Sequence, residues 1–424
     1  MRRWLGACGV VLAVSLAAAS QLDARAESGT FVILMLASGM AYVGALACVR
    51  GGRPSHRLLI ACVVLASVWR VAMVTGAPLV SDDVYRYVWD GRVQRFGYNP
   101  YTSTPKDPAL AHLHTEVTRR IDPTSAELPT IYPPLAELFF RLVSSVHESV
   151  TAMVVAVLLC DLLTLAIVWR WLVSTGRNPW WVLAYAWHPL VALEGAGGGH
   201  IDAVGTMLVV AAGFSLSRQR GLIAATALAA AFAVKFLPVV LIPLFWRRVR
   251  PRDALVGVGV VGLSYLPFSG MSLTPPTGSL GVYTESWRFN GPIFSVLEPW
   301  FGAVVVLVLA TVVGLSVAVV ARLRLSVDDP AAWAWPMAAS LLMMPAVYPW
   351  YLFWLTPFLT ARSTWPLIAW TLGSIATYMV WDSQLAGTGW VVPIWVVVLE
   401  YGLVAAVGLW VRRLPGPFSP RIAS

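Results

Sequence analysis

The run Leu58-Leu59-Ile60-Ala61-Cys62-Val63-Val64-Leu65-Ala66-Ser67-Val68-Trp69-Arg70-Val71-Ala72-Met73-Val74 is followed closely by Ser81-Asp82-Asp83-Val84-Tyr85-Arg86-Tyr87-Val88-Trp89-Asp90-Gly91. The first stretch is long and apolar enough to enter a bilayer. The second crowds three acids and an arginine just behind it. Across the chain 58% of residues are hydrophobic and 12% charged, with a mean hydropathy of +0.72. A soluble globular chain of 424 residues does not combine these values, so an all-α integral membrane protein is expected. Where charges are this sparse, acids gathered at a membrane boundary mark a site for chemistry or ion handling.

Further apolar segments lie at 4–19, 30–49, 150–173, 180–193, 201–216, 222–234, 236–246, 254–268, 301–320, 332–344, 351–360, 366–381 and 391–411. Several are shorter than the roughly 20 residues that cross a hydrocarbon core unaided. The pair flanking Lys235 is expected to end early or to line a polar cavity. The pattern predicts one membrane domain over residues 1–424, a polytopic helical bundle of about 12–14 transmembrane helices.

Basic residues set the orientation. Arg2, Arg3, Arg50, Arg53, Arg57, Arg170, Arg177, Arg218 and Arg220 fall on one side when crossings alternate. Arg247, Arg248, Arg250, Arg252, Arg322, Arg324, Arg362, Arg412 and Arg413 fall there too. That side is expected to be cytoplasmic, with both termini inside. The net charge of +9 then reflects topology and requires no nucleic acid. The long polar segments 81–149 and 269–300 lie outside, and the Asp82-Asp83 pair with them. Residues 1–26 read either as a first anchor helix or as a signal peptide cleaved near Ala24-Arg25-Ala26. Cys8, Cys48, Cys62 and Cys160 all sit in apolar segments, which implies neither a disulfide framework nor a metal cluster.

Within 81–149 a helix is predicted from Ser81, as N-cap, to Phe96, stopped by Gly97 and Asn99-Pro100. Asp83, Arg86 and Asp90 share one of its faces. Adjacent carboxylates outside a membrane can bind a divalent cation, act as a general base toward a hydroxyl, or cap a helix. Tyr85, Tyr87 and Trp89 crowd the same helix. Aromatic faces beside acids suit sugar rings, and they also anchor at membrane interfaces. After Tyr132-Pro133-Pro134 a short amphipathic helix is expected at 135–146.

Trp187-His188-Pro189 and Glu194-Gly195-Ala196-Gly197-Gly198-Gly199-His200-Ile201-Asp202 form a second constellation. Its glycines break the helix and let another group approach the backbone. It reads as a polar re-entrant turn contacting a ligand, as a metal site, or as a plain loop. Lys235, one of two lysines in the chain, must face a cavity, pair with an acid or snorkel to the surface. Arg288 is the only basic residue in 269–300. Its planar fork suits phosphate oxygens or a loop-ordering bridge to Glu285. Pro345-Ala346-Val347-Tyr348-Pro349-Trp350-Tyr351 is an outer turn rich in rings. Asp161 lies inside an apolar segment with no partner readable from the sequence.

The strings Asp82-Asp83-Val84-Tyr85-Arg86-Tyr87, Gly97-Tyr98-Asn99-Pro100-Tyr101, Tyr132-Pro133-Pro134 and Gly199-His200-Ile201-Asp202-Ala203 occur in that order. Val234-Lys235-Phe236, Trp287-Arg288-Phe289-Asn290 and Tyr348-Pro349-Trp350-Tyr351 follow. Together they resemble the C-type (GT-C) membrane glycosyltransferases, and among these the bacterial polyprenyl-phosphomannose-dependent α-mannosyltransferases. The chain departs from the pattern at Ile201, where relatives often carry a polar residue. It also places more crossings before the acid pair than the simplest family topology.

The resemblance implies a GT-C fold and a polyprenyl-phosphate sugar donor lying in a groove. It implies transfer of a single hexose, by preference mannose, to a hydroxyl of a cell-envelope glycan or glycolipid, with inversion. The expected location is the extracytoplasmic face of a bacterial cytoplasmic membrane. Asp82 or Asp83 would be the catalytic base, and Arg288, Lys235 and Arg86 would bind the donor phosphate. Tyr85, Tyr87, Asp90, Tyr132, His200, Asp202, Trp287, Asn290, Tyr348 and Trp350 would line the substrate pocket. Metal use varies in the superfamily, so a divalent cation stays open as a cofactor. The rival from another class is a transporter or flippase for a lipid-linked sugar. It calls for internal symmetry with paired broken helices, and only one glycine-broken segment is visible.

Overall fold

The computed structural model describes residues 2–50, 55–74, 80–270 and 274–413. Arg53 and residues 271–273 of the second polar segment lie outside the described residues. The chain runs α1 (Arg2–Ala19), α2 (Ser28–Arg50), α3 (His56–Met73), α4 (Asp83–Arg95), α5 (Pro134–Val146) and α6 (Val150–Ser174). It continues through α7 (Asp202–Ser217), α8 (Gly221–Val234), α9 (Pro251–Ser269), α10 (Ala303–Arg324), α11 (Pro330–Leu341) and α12 (Ile394–Arg413), with shorter helical turns between. No strand forms among the described residues, where the only β contact is an isolated bridge between Phe289 and Ala346. The chain is an all-α polytopic membrane protein.

Among the described residues six helices (α1, α2, α3, α6, α10 and α12) are long and apolar enough to cross a membrane, or up to seven spans if the bent pair Pro189–Gly197 plus α7 counts as one. Single unbroken helices therefore do not reach the expected count of about 12–14. Proline is the physical reason at two of the interrupted runs. It removes a backbone donor and clashes with the preceding turn, so the apolar runs around Pro243 and Pro357 fold as the 3₁₀ stretches Leu237–Phe245 and Pro349–Phe358. The second piece is packed inside the protein, with Leu352, Phe353, Trp354, Leu355 and Phe358 all buried, while the first buries Val240, Leu241 and Leu244 and exposes Ile242. The full-length helices instead keep apolar residues on the outside, as with Val304, Val308, Val312 and Leu323 of α10. The opposite face of α10 buries Ala310, Gly314, Ala318 and Ala321, a stripe of small residues that lets helices approach closely in lipid.

Asp161 finds its partner across this bundle. In the middle of α6 its Oδ2 accepts a 2.6 Å bond from Arg70 Nε of α3, and both side chains are fully buried. Arg70 Nη1 also donates to the carbonyls of Ala66 and Ala186, and Tyr185 Oη donates to Asp161 Oδ1 at 2.6 Å.

Beyond α3 the chain leaves the apolar region, and α4 packs across α5. The helix starts at Asp83 rather than Ser81. Ser81 Oγ still accepts from the Asp83 amide at 3.2 Å, while the N-cap residue Asp82 makes no capping bond because its side chain is engaged elsewhere. Gly91 marks the crossing: a Cβ there would lie 2.3 Å from Ser144 Oγ and 2.4 Å from the Phe140 carbonyl oxygen. The two helices touch backbone to backbone, and only glycine fits. Gly91→Ala is expected to destabilise the protein by about 1–3 kcal/mol through overpacking. Thermal unfolding in detergent reads this, and an unchanged melting temperature would disprove the close approach.

Candidate active site

Two antiparallel elements bring an acid and a base together. Helix α7 begins at Asp202 and α8 ends at Val234; the short turn between them folds α8 back along α7. Asp202, at the first turn of α7, therefore meets Lys235, just past the last turn of α8. Lys235 Nζ donates to Asp202 Oδ1 at 2.7 Å and lies 3.8 Å from the centre of the Tyr351 ring. Trp354 Nε1 donates to the same Asp202 oxygen at 2.5 Å. The lysine thus neither snorkels nor stands alone, and its side chain keeps 24% exposure.

The glycine-rich turn sets the second part. Residues Ala192–Gly197 form a single π turn, and the chain then bends by 120° into α7. Gly199 makes that bend with φ +66°, and a Cβ there would strike Val154 Cγ2 of α6 at 2.8 Å. The bend turns the fully buried His200 imidazole between two carboxylates. Nδ1 lies 3.7 Å from Asp83 Oδ2, and Nε2 lies 3.2 Å from Glu194 Oε2. Glu194 is held from behind by the Tyr378 hydroxyl. Neither imidazole contact has hydrogen-bond geometry, so both ring nitrogens are buried without a formal partner.

The acid pair is therefore divided. Asp83 faces His200, with 36% of its side chain exposed. Burial raises its carboxyl above the usual carboxylate range, with Asp202 and Asp82 adding to the rise and His200 and Lys235 opposing it. Asp82 turns the other way and accepts from Arg25 Nη2 at 2.6 Å. Arg25 lies in the turn between α1, which ends at Ala19, and α2, and its guanidinium also lies 4.5 Å from the Trp381 ring centre. Among the described residues no group of three or more His, Cys, Asp or Glu is arranged to hold a metal ion.

Above this cluster the rings form a column. Phe289 stacks on Tyr348 at 4.2 Å, Tyr348 on Trp350 at 4.4 Å, and Trp350 on His200 at 4.3 Å, all within 17° of parallel. The faces of Tyr348 and Trp350 are thus occupied by one another and by their neighbours, and what they fix is the plane of His200. Tyr351 and Tyr283 join through their hydroxyls, and Trp287 stacks on Tyr283 at 5.5 Å. Tyr132 is half-buried on the edge of Tyr87.

Other expected site residues are placed differently. Arg86 Nε lies on both oxygens of Asp90 at 2.9 and 3.0 Å, and its Nη1 donates to the carbonyls of Ser125 and Leu128. Asp90 in turn lies beside Glu137 of α5, whose carboxyl is pushed well above the usual range by burial and then by the Asp90 charge. This network locks α4 onto α5 and engages Arg86 and Asp90 with each other. Tyr87 is likewise packed, stacked on Phe140 at 4.4 Å, and Tyr85 is buried beneath Arg120. Arg288 reaches Glu298 rather than Glu285, and its remaining donors hold the carbonyls of Thr284, Glu285 and Trp287. Its fork orders the loop. Asn290, with φ +49°, ties that loop to α12 by donating to Glu400 at 3.0 Å. His188 caps its own turn and contacts Thr371 Oγ1 at 2.9 Å, away from the cluster.

Reasoning from sequence missed Arg25, because the signal-peptide reading set its segment apart. It also did not link Tyr351 to Lys235 or Tyr378 to Glu194. The Gly-broken turn was the signal that pointed to Glu194.

No curated protein and no solved structure matched the chain. A family model does match it, over residues 4–249. That stretch holds Asp82, Asp83, His200, Asp202 and Lys235, and it begins within α1. Since it covers more than half the chain, the protein belongs to the family described as alpha-(1->6)-mannopyranosyltransferase, N-terminal domain, and is a mannosyltransferase.

Proposed function

We propose that the protein moves one mannosyl residue from a polyprenyl-phosphate carrier to a hydroxyl of a cell-envelope glycan or glycolipid, at the extracytoplasmic face of a bacterial cytoplasmic membrane. The observation that carries this reading is that partly exposed Asp83 lies against His200 and feels the charges of Lys235 and Asp202, which are paired with each other at 2.7 Å. Base and cation share one cluster. The acceptor oxygen attacks the anomeric carbon, its proton passes to the Asp83 carboxylate, and the carbon–oxygen bond to the carrier phosphate breaks with the electron pair leaving on phosphate. Lys235, which holds Asp202 with one of its three donors and keeps 24% exposure, supplies the positive charge that this leaving group needs. Inversion turns a β-linked carrier mannose into the α product for which the family is described.

The extracytoplasmic side is supported by charge. The cluster lies between the C-terminal end of α3 and the N-terminal end of α6, where Gly199 meets Val154. Basic residues stand at the other ends of the spans: Arg2 and Arg3 opening α1, Arg57 opening α3, Arg322 and Arg324 closing α10, Arg412 and Arg413 closing α12. Such ends face the cytoplasm. The transporter reading has one bent span and no matched second one among the described residues.

The deciding experiment supplies purified protein with radiolabelled polyprenyl-phosphate mannose, glucose and arabinose, and a membrane extract as acceptor, with and without a chelator. Label should move from the mannose carrier alone; no transfer from any carrier defeats the proposal. Lys235→Met is expected to lower kcat by roughly 10²–10³-fold, the cost of losing one preorganised charge at a leaving group. A rise in KM with unchanged kcat would assign the lysine to donor binding only.

A further inference from the structure

Sequence left two questions open: which aspartate is the base, and whether the first helix belongs to the enzyme. One contact bears on both. Arg25 donates to Asp82 from the segment that follows α1, with the arginine 33% and the aspartate 26% exposed. The same segment is fastened at two further points. Ser28 Oγ donates to Asp382, beside the Trp381 ring that faces Arg25, and Phe31 packs edge-on against Tyr378. Tyr378 is the residue that holds Glu194 behind His200. The residues after α1 therefore touch one aspartate directly and back the support of the other.

We infer that Arg25 is a positioning residue of the transfer site: it engages Asp82 and balances its charge, so that Asp83 alone takes the acceptor proton, and α1 is a built-in part of the enzyme. This rests on the mannosyl-transfer reading above. The logic is electrostatic. Two adjacent carboxylates oppose one another's ionisation. Asp82 is among the groups that raise Asp83, together with Asp202, while His200 and Lys235 act against it. The hydroxyls of Tyr87, Tyr132, Tyr283, Tyr348 and Tyr378 also feel the Asp83 charge. A guanidinium on Asp82 offsets the one unfavourable neighbour that the sequence places beside the base.

The test is the pH–rate profile of the full chain with labelled polyprenyl-phosphate mannose, for Arg25→Gln, Arg25→Lys, Asp82→Asn and the double variant Arg25→Gln/Asp82→Asn. Removing Arg25 should move the acidic limb to higher pH by roughly half a unit to one unit, and removing the Asp82 charge should move it to lower pH. The double variant should return near the wild-type limb, and Arg25→Lys should keep most of the activity. A merely structural role would slow transfer without moving either limb. Limbs that stay fixed, or move together, overturn the inference; so does an intact mass showing that the purified chain begins after Ala26. Should Arg25→Gln fail to fold, Asp82→Asn must still lower the limb and Arg25→Lys, which keeps the charge, must leave it in place. If Asp83→Asn keeps wild-type transfer, the underlying reading fails. If it abolishes transfer while the limbs stay fixed, only the role of Arg25 does.

Discussion

Asp83→Asn is expected to lower mannosyl transfer by roughly 10²–10⁴-fold, the usual contribution of a positioned general base, while the protein inserts and folds normally. The substitution keeps shape and removes only the capacity to take a proton. Asp83 is the better base of the pair on geometric grounds. Its side chain is 36% exposed, contacts His200 and feels the charge of Lys235, whereas Asp82 is occupied by Arg25. Its pKa lies above the ordinary value, with burial as the main cause. The sign follows from the role. A base works deprotonated, so the rate should fall as pH drops through that raised pKa, above the roughly 3.9 of a free aspartate. Steady-state rates against pH, with folding checked by gel filtration in detergent, measure both effects. Wild-type rates for Asp83→Asn, or loss of activity only in Asp82→Asn, would remove Asp83 from this role.

Much of this arrangement was legible in the sequence, for reasons that differ between fold and site. Hydropathy announces a membrane protein because lipid tolerates few charges, and 12% charged residues cannot be arranged otherwise. The number of full crossings was not legible, because an apolar run interrupted by Pro243 or Pro357 has the composition of a span but not the hydrogen bonds of one. At the site, Lys235 and Asp202 could be named singly, since a lysine in an apolar run demands a partner. Their pairing depends on α7 and α8 folding back on each other. Arg86 and Arg288 show the opposite case. Each has the fork geometry for phosphate, yet Asp90, four residues along the same helix, and Glu298, ten residues on, are near enough to take it; the first pairing follows from helical spacing, and the second depends on how the loop folds. Tyr348 and Trp350 carry the ring chemistry expected for sugars, and the fold uses their faces to hold His200 in plane. A side chain's chemistry is written in the sequence; whether a neighbour has already claimed it is not.

Breaking the Arg70–Asp161 pair should have the largest effect on stability, about 3–5 kcal/mol for either Arg70→Met or Asp161→Asn. Each single change leaves a buried polar or charged group without its counterpart inside the span region. Arg70 also donates to the Ala186 carbonyl, and the pair lies beside the turn of Glu194: Asp161 Oδ2 lies 3.6 Å from where a Cβ on Gly195 would sit. Loss of the pair should therefore loosen the support of His200 and lower activity along with stability. The double variant Arg70→Met/Asp161→Leu removes both charges, and replacing a buried ion pair with apolar groups is often close to neutral. Its thermal inactivation midpoint in detergent should lie nearer the wild type than that of Arg70→Met or Asp161→Leu alone, and the double-mutant cycle built from those two single variants then gives a coupling energy of at least about 3 kcal/mol. Additive losses would show that the two residues act independently and that the contact does not hold α3 to α6.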